Sequence, residues 1–371
     1  MTLELPPDRA LAWRLGRHFL AGPGGASVEQ VVDRLVAVPA TPTGSGDPEL
    51  SIRLRLANDP GRGALDRSLA DGSLIKAFAF RGATHLMTPR QAAVHLAVRC
   101  AGRQWELSSW RSHYRLEPDD WPVLRAVLRE CAADGPATWV DLAAAVSAVP
   151  RFTHLATEFT NQNWTLLKPF MWQGDLCFGP PADGPVTFQL MTANQLWPGE
   201  TPLDEAGPRA LLAYLEGYGP ATPERLQYWL GEGLSAGRRR IARWLGQLSP
   251  QLAEVAVGGQ VGYIPASMLD EVMEARPDDS VVLLPGYDQW VLGPGTADES
   301  VVPADLRPMV TKGKNLALAG GRVAGTWKRS SGTVEVTCAI DGRAPAGPLH
   351  AAVVRLAELL GGPLEVRVLL G

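Results

Sequence analysis

Cysteine is scarce and scattered. The four thiols, Cys100, Cys131, Cys177 and Cys338, stand far apart in a chain of 371 residues. No CxxC pair or Cys/His cluster is present to hold zinc, and a reducing compartment fits. Long hydrophobic runs are missing too. No stretch approaches the ~18 apolar residues needed to span a bilayer. Glu4, Asp8, Arg9, Arg14 and Arg17 break up the first twenty residues, so no secretory signal is expected. The reading is of a soluble, cytoplasmic protein without membrane contact. A charge excess is also lacking: 35 Lys and Arg face 39 Asp and Glu, net −4. That balance does not advertise nucleic-acid binding, but binding depends on a local basic face rather than on the total. Catalytic signatures are missing as well. Lys312-Gly313-Lys314 lacks the remainder of a phosphate-binding loop, and Gly44-Ser45-Gly46 lies in a Pro-rich turn rather than between a strand and a helix. Gly233-Leu234-Ser235-Ala236-Gly237 has the letters of a nucleophile elbow but joins two helices, which leaves Ser235 as a helix cap.

What is present is punctuation. The chain has 39 Gly and 31 Pro, and they divide it into modules of similar element order. Apolar spacing predicts helices over Arg9–Leu20, Ser27–Val36 (with Ser27 and Gln30 as a capping box), from about Glu49, and from about Arg62. Strands at Ile75–Phe80 and Ala83–Met87 follow. The order recurs with helices at Trp121–Ala133, up to Val146 and over Thr160–Trp172, then a hairpin of Leu176–Phe178 and Val186–Leu190. It recurs again with helices at Ala210–Gly217, up to Leu230 and from Ser235 to Leu248, then a hairpin of Leu252–Val257 and Val261–Ile264 around Gly258-Gly259. From Ser280 the chain is β-rich: Val281–Leu284, Leu316–Ala319, Arg322–Lys328, Thr333–Ile340, the helix His350–Leu360 and the strand Leu364–Leu369. The expected fold is α+β: three tandem winged-helix units over 1–115, 116–205 and 206–275, with a C-terminal β-rich module over 276–371.

Two basic clusters stand out. No acidic residue occurs from Leu306 to Val334, while Arg307, Lys312, Lys314, Arg322, Lys328 and Arg329 fall inside, with Trp327 beside them. Cations, small hydroxyls and an aromatic suit phosphate contact and base stacking; they equally suit a solvated face with a core Trp. Arg239, Arg240 and Arg243 share a face of the helix that meets DNA in a winged unit. His85, after Arg81-Gly82-Ala83-Thr84, and Asp288, after an apolar strand, are single polar residues that serve either structure or a site.

These segments resemble a known family. Arg81-Gly82-x-x-His85-Leu86 is similar to the R-[GP]-T-x-H-L segment of the bacterial tandem-winged-helix DNA glycosylases, the AlkZ-like family, with Ala83 in place of Thr. Leu167-x-Pro169-x-x-Trp172-x-Gly174-Asp175-Leu176, Leu284-Pro285-x-x-Asp288 and Gly321-Arg322-Val323-x-Gly325-Thr326-Trp327 match further family segments in order, over about residues 9–330. The resemblance implies three winged-helix units and a β-rich module in a concave arrangement. It implies excision of bulky alkylated purines and unhooking of crosslinks in duplex DNA, by a monomer associated with the nucleoid and needing no cofactor and no metal. Its DNA-binding residues would be Arg81, Thr84, His85, Arg239, Arg240, Arg243, Asp288, Arg322, Trp327, Lys328 and Arg329. One departure is central. The family's catalytic Gln-x-Gln or Gln-x-Asp follows the second helix, where this chain reads Val38-Pro39-Ala40-Thr41. The chemistry is then expected from Thr41, orienting water, and from Asp47, or Glu49 in reserve, as the anion facing the developing sugar cation. Asp47-Pro48 is also an ordinary helix start. The changed pair supports an alternative: a non-catalytic winged-helix protein that binds DNA or adducts, or a transcriptional regulator.

Overall fold

The computed structural model describes residues 3–40, 46–161, 164–181, 183–233, 235–277, 279–330, 332–338 and 346–370. The chain forms two compact units. The first is Met1–Leu65, Leu211–Trp229 and Leu245–Gly371; the second is Asp66–Ala210 and Leu230–Trp244. Helices and small sheets alternate in both. Among the described residues no helix is long and apolar enough to cross a membrane.

The first unit centres on a five-stranded sheet of Val281–Leu284, Asn315–Ala319, Arg322–Ser330, Thr333–Cys338 and Glu365–Leu370, in that spatial order. The last pair is parallel and the others antiparallel. Side chains alternate between the faces, as a strand requires. Leu284, Leu316, Leu318 and Val323 pack on one face with Leu11 and Leu15 of the helix Pro7–Arg17 and with Trp290. Leu283, Ala317, Trp327, Val334 and Val336 pack on the other face. There they meet Leu349, Val353, Leu356 and Leu359, one stripe of the helix Ala346–Leu360. A second sheet joins Leu252–Val257 to Gln260–Pro265, with Leu3–Leu5 added in parallel on the outer side of the former.

Capping sets the helix starts. The Ser27 hydroxyl accepts from Gln30 N at 3.2 Å and starts the helix Val28–Arg34, while Gln30 Oε1 accepts from Ala26 N at 2.6 Å rather than closing the expected box on Ser27. Asp47 Oδ1 accepts from Leu50 N at 2.8 Å and starts Pro48–Arg53.

The second unit holds two small sheets. Ile75–Phe78 pairs with Thr84–Met87, and Thr187–Leu190 pairs with both Ala137–Thr138 and Leu176–Phe178. Thr138 and Asp141 form a full capping box at the start of Trp139–Ser147. Two expectations are corrected. The helix expected over Thr160–Trp172 is broken: Ala156–Thr160 ends, Trp164 turns left-handed at φ 45°, and Lys168–Trp172 restarts with Pro169 in its first turn. Ser235 is not a cap. Its hydroxyl donates to Leu230 O at 2.5 Å, and the helix begins at Arg238.

A candidate nucleic-acid interface

In the first unit, register gathers the C-terminal basic residues at one end of the five-stranded sheet. Asn315 pairs with Trp327 and Leu284 with Leu316. The loop after Leu284, the Lys312–Lys314 turn and the hairpin beyond Trp327 therefore leave the sheet at the same end. Lys312, Lys314, Lys328 and Arg329 are exposed there. Lys328 Nζ lies 2.7 Å from Glu335, its cross-strand partner. The pair is exposed on the lysine side, so it holds Lys328 weakly. Glu335 is kept below the usual carboxylate range, first by its hydrogen bond from Lys328. Arg322 is exposed at the other end of its strand and donates to Glu299 O at 3.3 Å.

Trp327 is a correction. It is buried in the core, and its Nε1 donates to Leu284 O at 2.8 Å, so the ring is not offered to a base. Burial alternates along that strand, with Val323, Gly325 and Trp327 all buried, but an irregularity opposite Ala317 and Leu318 puts Val323 and Trp327 into the cores on opposite faces of the sheet.

Asp288 is a second correction. It is 2% exposed and surrounded by donors. Arg55 Nη2 reaches Oδ1 at 2.6 Å and Nη1 reaches Oδ2 at 2.9 Å. Ser51 Oγ donates to Oδ2 at 2.5 Å, and Trp290 N donates to Oδ1 at 2.8 Å. A carboxylate so engaged is an anchor rather than a DNA contact. It caps the turn Gln289–Leu292 and ties it to the helix that Asp47 starts. Ser51 and Arg55 carry no motif and were not anticipated.

The residue before the anchor has an unusual backbone. Tyr287 is held at φ 58°, a left-handed conformation that costs a bulky residue about 1–3 kcal/mol. Its ring lies on Gly313: a Cβ there would sit 2.2 Å from Tyr287 Cε2. Gly286 donates its N–H to Asn315 Oδ1 at 2.9 Å. Gly46 backs onto the same loop, since a Cβ on it would lie 2.7 Å from Gly286 O. Asp47, Tyr287 and the basic sheet end are thus parts of one local framework. Asp47 is exposed despite its capping bond. Glu49 is partly buried, and its Oε1 accepts from Ala64 N at 3.0 Å. Thr41 lies outside the described residues.

In the second unit, Arg81 occupies the turn between Ile75–Phe78 and Thr84–Met87 at φ 51° and is half-exposed. Thr84 and His85 are corrections: they are 1% and 2% exposed, so they are core residues with almost no surface to offer a duplex. His85 Nδ1 is 2.9 Å from Ala83 O, and the ring meets Phe80 edge-on at 5.3 Å. Burial, aided by the Arg81 charge and opposed by the Ala83 hydrogen bond, lowers the His85 pKa to about 3. The imidazole is neutral at physiological pH. On the helix Arg238–Leu248, Arg239 is exposed, Arg240 Nη1 donates to Ala236 O at 3.1 Å, and Arg243 pairs with exposed Asp204 at 2.7 Å.

A sheet end with four exposed cations and an uncovered carboxylate nearby has the chemistry of a surface that meets a phosphate backbone. That is the class to which comparison with known proteins also leads. The model of the family described as DNA glycosylase AlkZ-like matches residues 32–359. The chain belongs to that family of DNA glycosylases, enzymes that hydrolyse N-glycosidic bonds. It is 32% identical over 327 residues to an interstrand DNA cross-link repair glycosylase of Streptomyces sahachiroi, covering 86% of this chain and 87% of that protein. The solved structure of the Streptomyces sahachiroi DNA glycosylase AlkZ superposes with a TM-score of 0.90 at 31% identity, over 99% of this chain and 100% of that one.

Proposed function

We propose that this glycosylase releases bulky N7-alkylated purines, crosslinked ones included, from duplex DNA in the cytoplasm, as repair or as self-resistance to a genotoxic natural product. The observation that carries the reading is the basic sheet end built beside Asp47. It is supported by the cross-link repair glycosylase to which the chain is similar. We further assign the helix–helix–hairpin repeats over 1–115, 116–205 and 206–275 to winged-helix units acting as a monomer, with the β-rich module at 276–371.

An N7-alkylpurine is cationic, so its glycosidic bond is already weak. As C1′–N9 breaks, the bonding pair moves to the purine and neutralises it, while positive charge grows on the deoxyribose. Water forms the new C1′–O bond and gives up a proton. An anion close to C1′ stabilises that transition state, the carboxylate logic of glycoside hydrolysis. Asp47 is assigned the anion, because it is exposed, whereas Glu49 is engaged by Ala64 N. Thr41 is assigned the water on sequence alone. Arg239, Arg240, Arg243, Arg81, Lys328 and Arg329 are assigned phosphate contacts.

The test is incubation of the protein with duplex DNA carrying an N7-guanine adduct, with mass spectrometry of the released base. Release of the adducted base is expected. Adduct binding without release would replace this reading with that of a binding protein.

A further inference from the structure

We propose that Tyr287 is the residue that receives the damaged base: its ring stacks on the alkylpurine while Lys312, Lys314 and Lys328 hold the flanking phosphates. The assignment rests on the function proposed above and names the group that recognises its substrate.

Three observations converge on it. The first is conformational. A left-handed tyrosine persists only where its surroundings impose it, and such strain gathers at functional positions. Here the imposing element is the buried Asp288, fixed by Arg55, Ser51 and Trp290 N. Glycine would meet the same φ without strain, and the sequence spends a tyrosine there instead.

The second concerns what the fold does with the side chain. Tyr287 is half-exposed, and among the described residues no hydrogen bond to its hydroxyl and no aromatic partner is found. The protein's other large aromatics at this sheet, Trp290 and Trp327, are buried and donate their indole N–H groups to Gly321 O and Leu284 O. Gly313 supports the Tyr287 ring from below, because any side chain there would collide with it. A supported, half-exposed ring whose hydroxyl has no partner among the described residues is built as a platform.

The third is electrostatic. The cations that flank Gly313, Lys312 and Lys314, are exposed, and so is Lys328 across the sheet end. Aromatic platforms inside a basic surface are the common design for holding an unstacked base. A phenol ring adds selectivity, because its π face attracts a cationic N7-alkylpurine more than a neutral purine.

The experiment uses the full chain and duplexes identical except for one N7-guanine monoadduct of a nitrogen mustard. Tyr287→Gly removes the ring and suits the backbone; Tyr287→Phe keeps the ring. Expected for Tyr287→Gly are an unchanged or higher melting temperature, affinity for the adduct duplex lowered about tenfold or more, affinity for the unmodified duplex changed less than about twofold, and slower single-turnover release. Tyr287→Phe should restore most of the adduct preference. Wild-type preference and release in Tyr287→Gly would overturn the assignment, as would equal loss for both duplexes. A lower melting temperature with preference intact would mark the tyrosine as structural and overturn it too. Failure of the wild-type protein itself to release or prefer the adduct would instead overturn the proposed function.

Discussion

Removing the Asp288 carboxylate should unfold the first unit early, and the size of the effect follows from the contacts. Asp288→Ala strands the Arg55 guanidinium, whose side chain is 0% exposed, without its bidentate partner. Breaking a buried pair on one side costs about 3–5 kcal/mol. Losing the cap on Gln289–Leu292 adds about 1 kcal/mol. At about 2–4 °C per kcal/mol for a unit of this size, the melting temperature should fall by about 8–24 °C. The double variant Arg55→Met with Asp288→Ala should recover part of the loss, because no unpaired charge remains buried. Calorimetry on the four proteins of this cycle measures the coupling. If Asp288→Ala melts within about 2 °C of wild type, or if the double variant is worse than additive, the anchor argument fails. Weaker DNA binding with unchanged melting would restore Asp288 to the DNA-contact role expected from sequence.

Other outcomes follow from the same geometry. Asp47→Asn retains a capping oxygen but no charge, so it should keep stability and slow single-turnover excision about a hundredfold; Asp47→Ala should also cost about 1 kcal/mol. Equal excision by both variants and wild type removes the anion assignment. Lys328→Ala with Arg329→Ala should weaken duplex binding and shallow its logarithmic salt slope by about 2, with melting nearly unchanged; an unaltered slope makes the hairpin a solvated edge. His85 has a folded pKa of about 3 against 6.5 unfolded, so protons favour the unfolded chain between those values. Its contribution is full above pH 6.5 and is lost toward pH 3, at about 1.4 kcal/mol per unit, with buried His18 shifting the same way. Urea unfolding at pH 7 and 5 checks this, and His85→Asn should flatten the dependence.

Much of the element order was legible because period and punctuation are local. The helix at Val28–Arg34, the hairpins and the five strands after Ser280 stand within a few residues of their expected places. Where the reading failed, the deciding partner was distant or conformational. Trp164 and Pro169 break a helix that apolar spacing alone would continue, and Ser235 turns back to Leu230 instead of capping forward. The candidate site was legible as a list of charged residues but not as geometry. Asp288 reads as a lone carboxylate until Arg55, 233 residues away, is found beside it. Trp327 and His85 have the letters of a site and the burial of a core. Nothing in the letters Gly-Tyr-Asp announces a left-handed tyrosine; the contacts around it come from Asn315, Gly313 and Arg55, all distant in sequence or outside any motif.

The parallel pairing of Leu3–Leu5 with Val255–Val257 bears on how the protein is made. Leu3 waits through synthesis of some 250 residues before its strand partner exists, and the sheet of the first unit is not closed until Glu365–Leu370 emerges. The long stretch Asp66–Ala210, in contrast, makes up most of the second unit, which is complete in sequence at Trp244. Contacts this distant in sequence close late and slowly. On the ribosome the first strand therefore has no strand partner until Val255–Val257 has been made. Deleting Leu3–Leu5 would leave the edge of Leu252–Val257 bare, an open template for another chain.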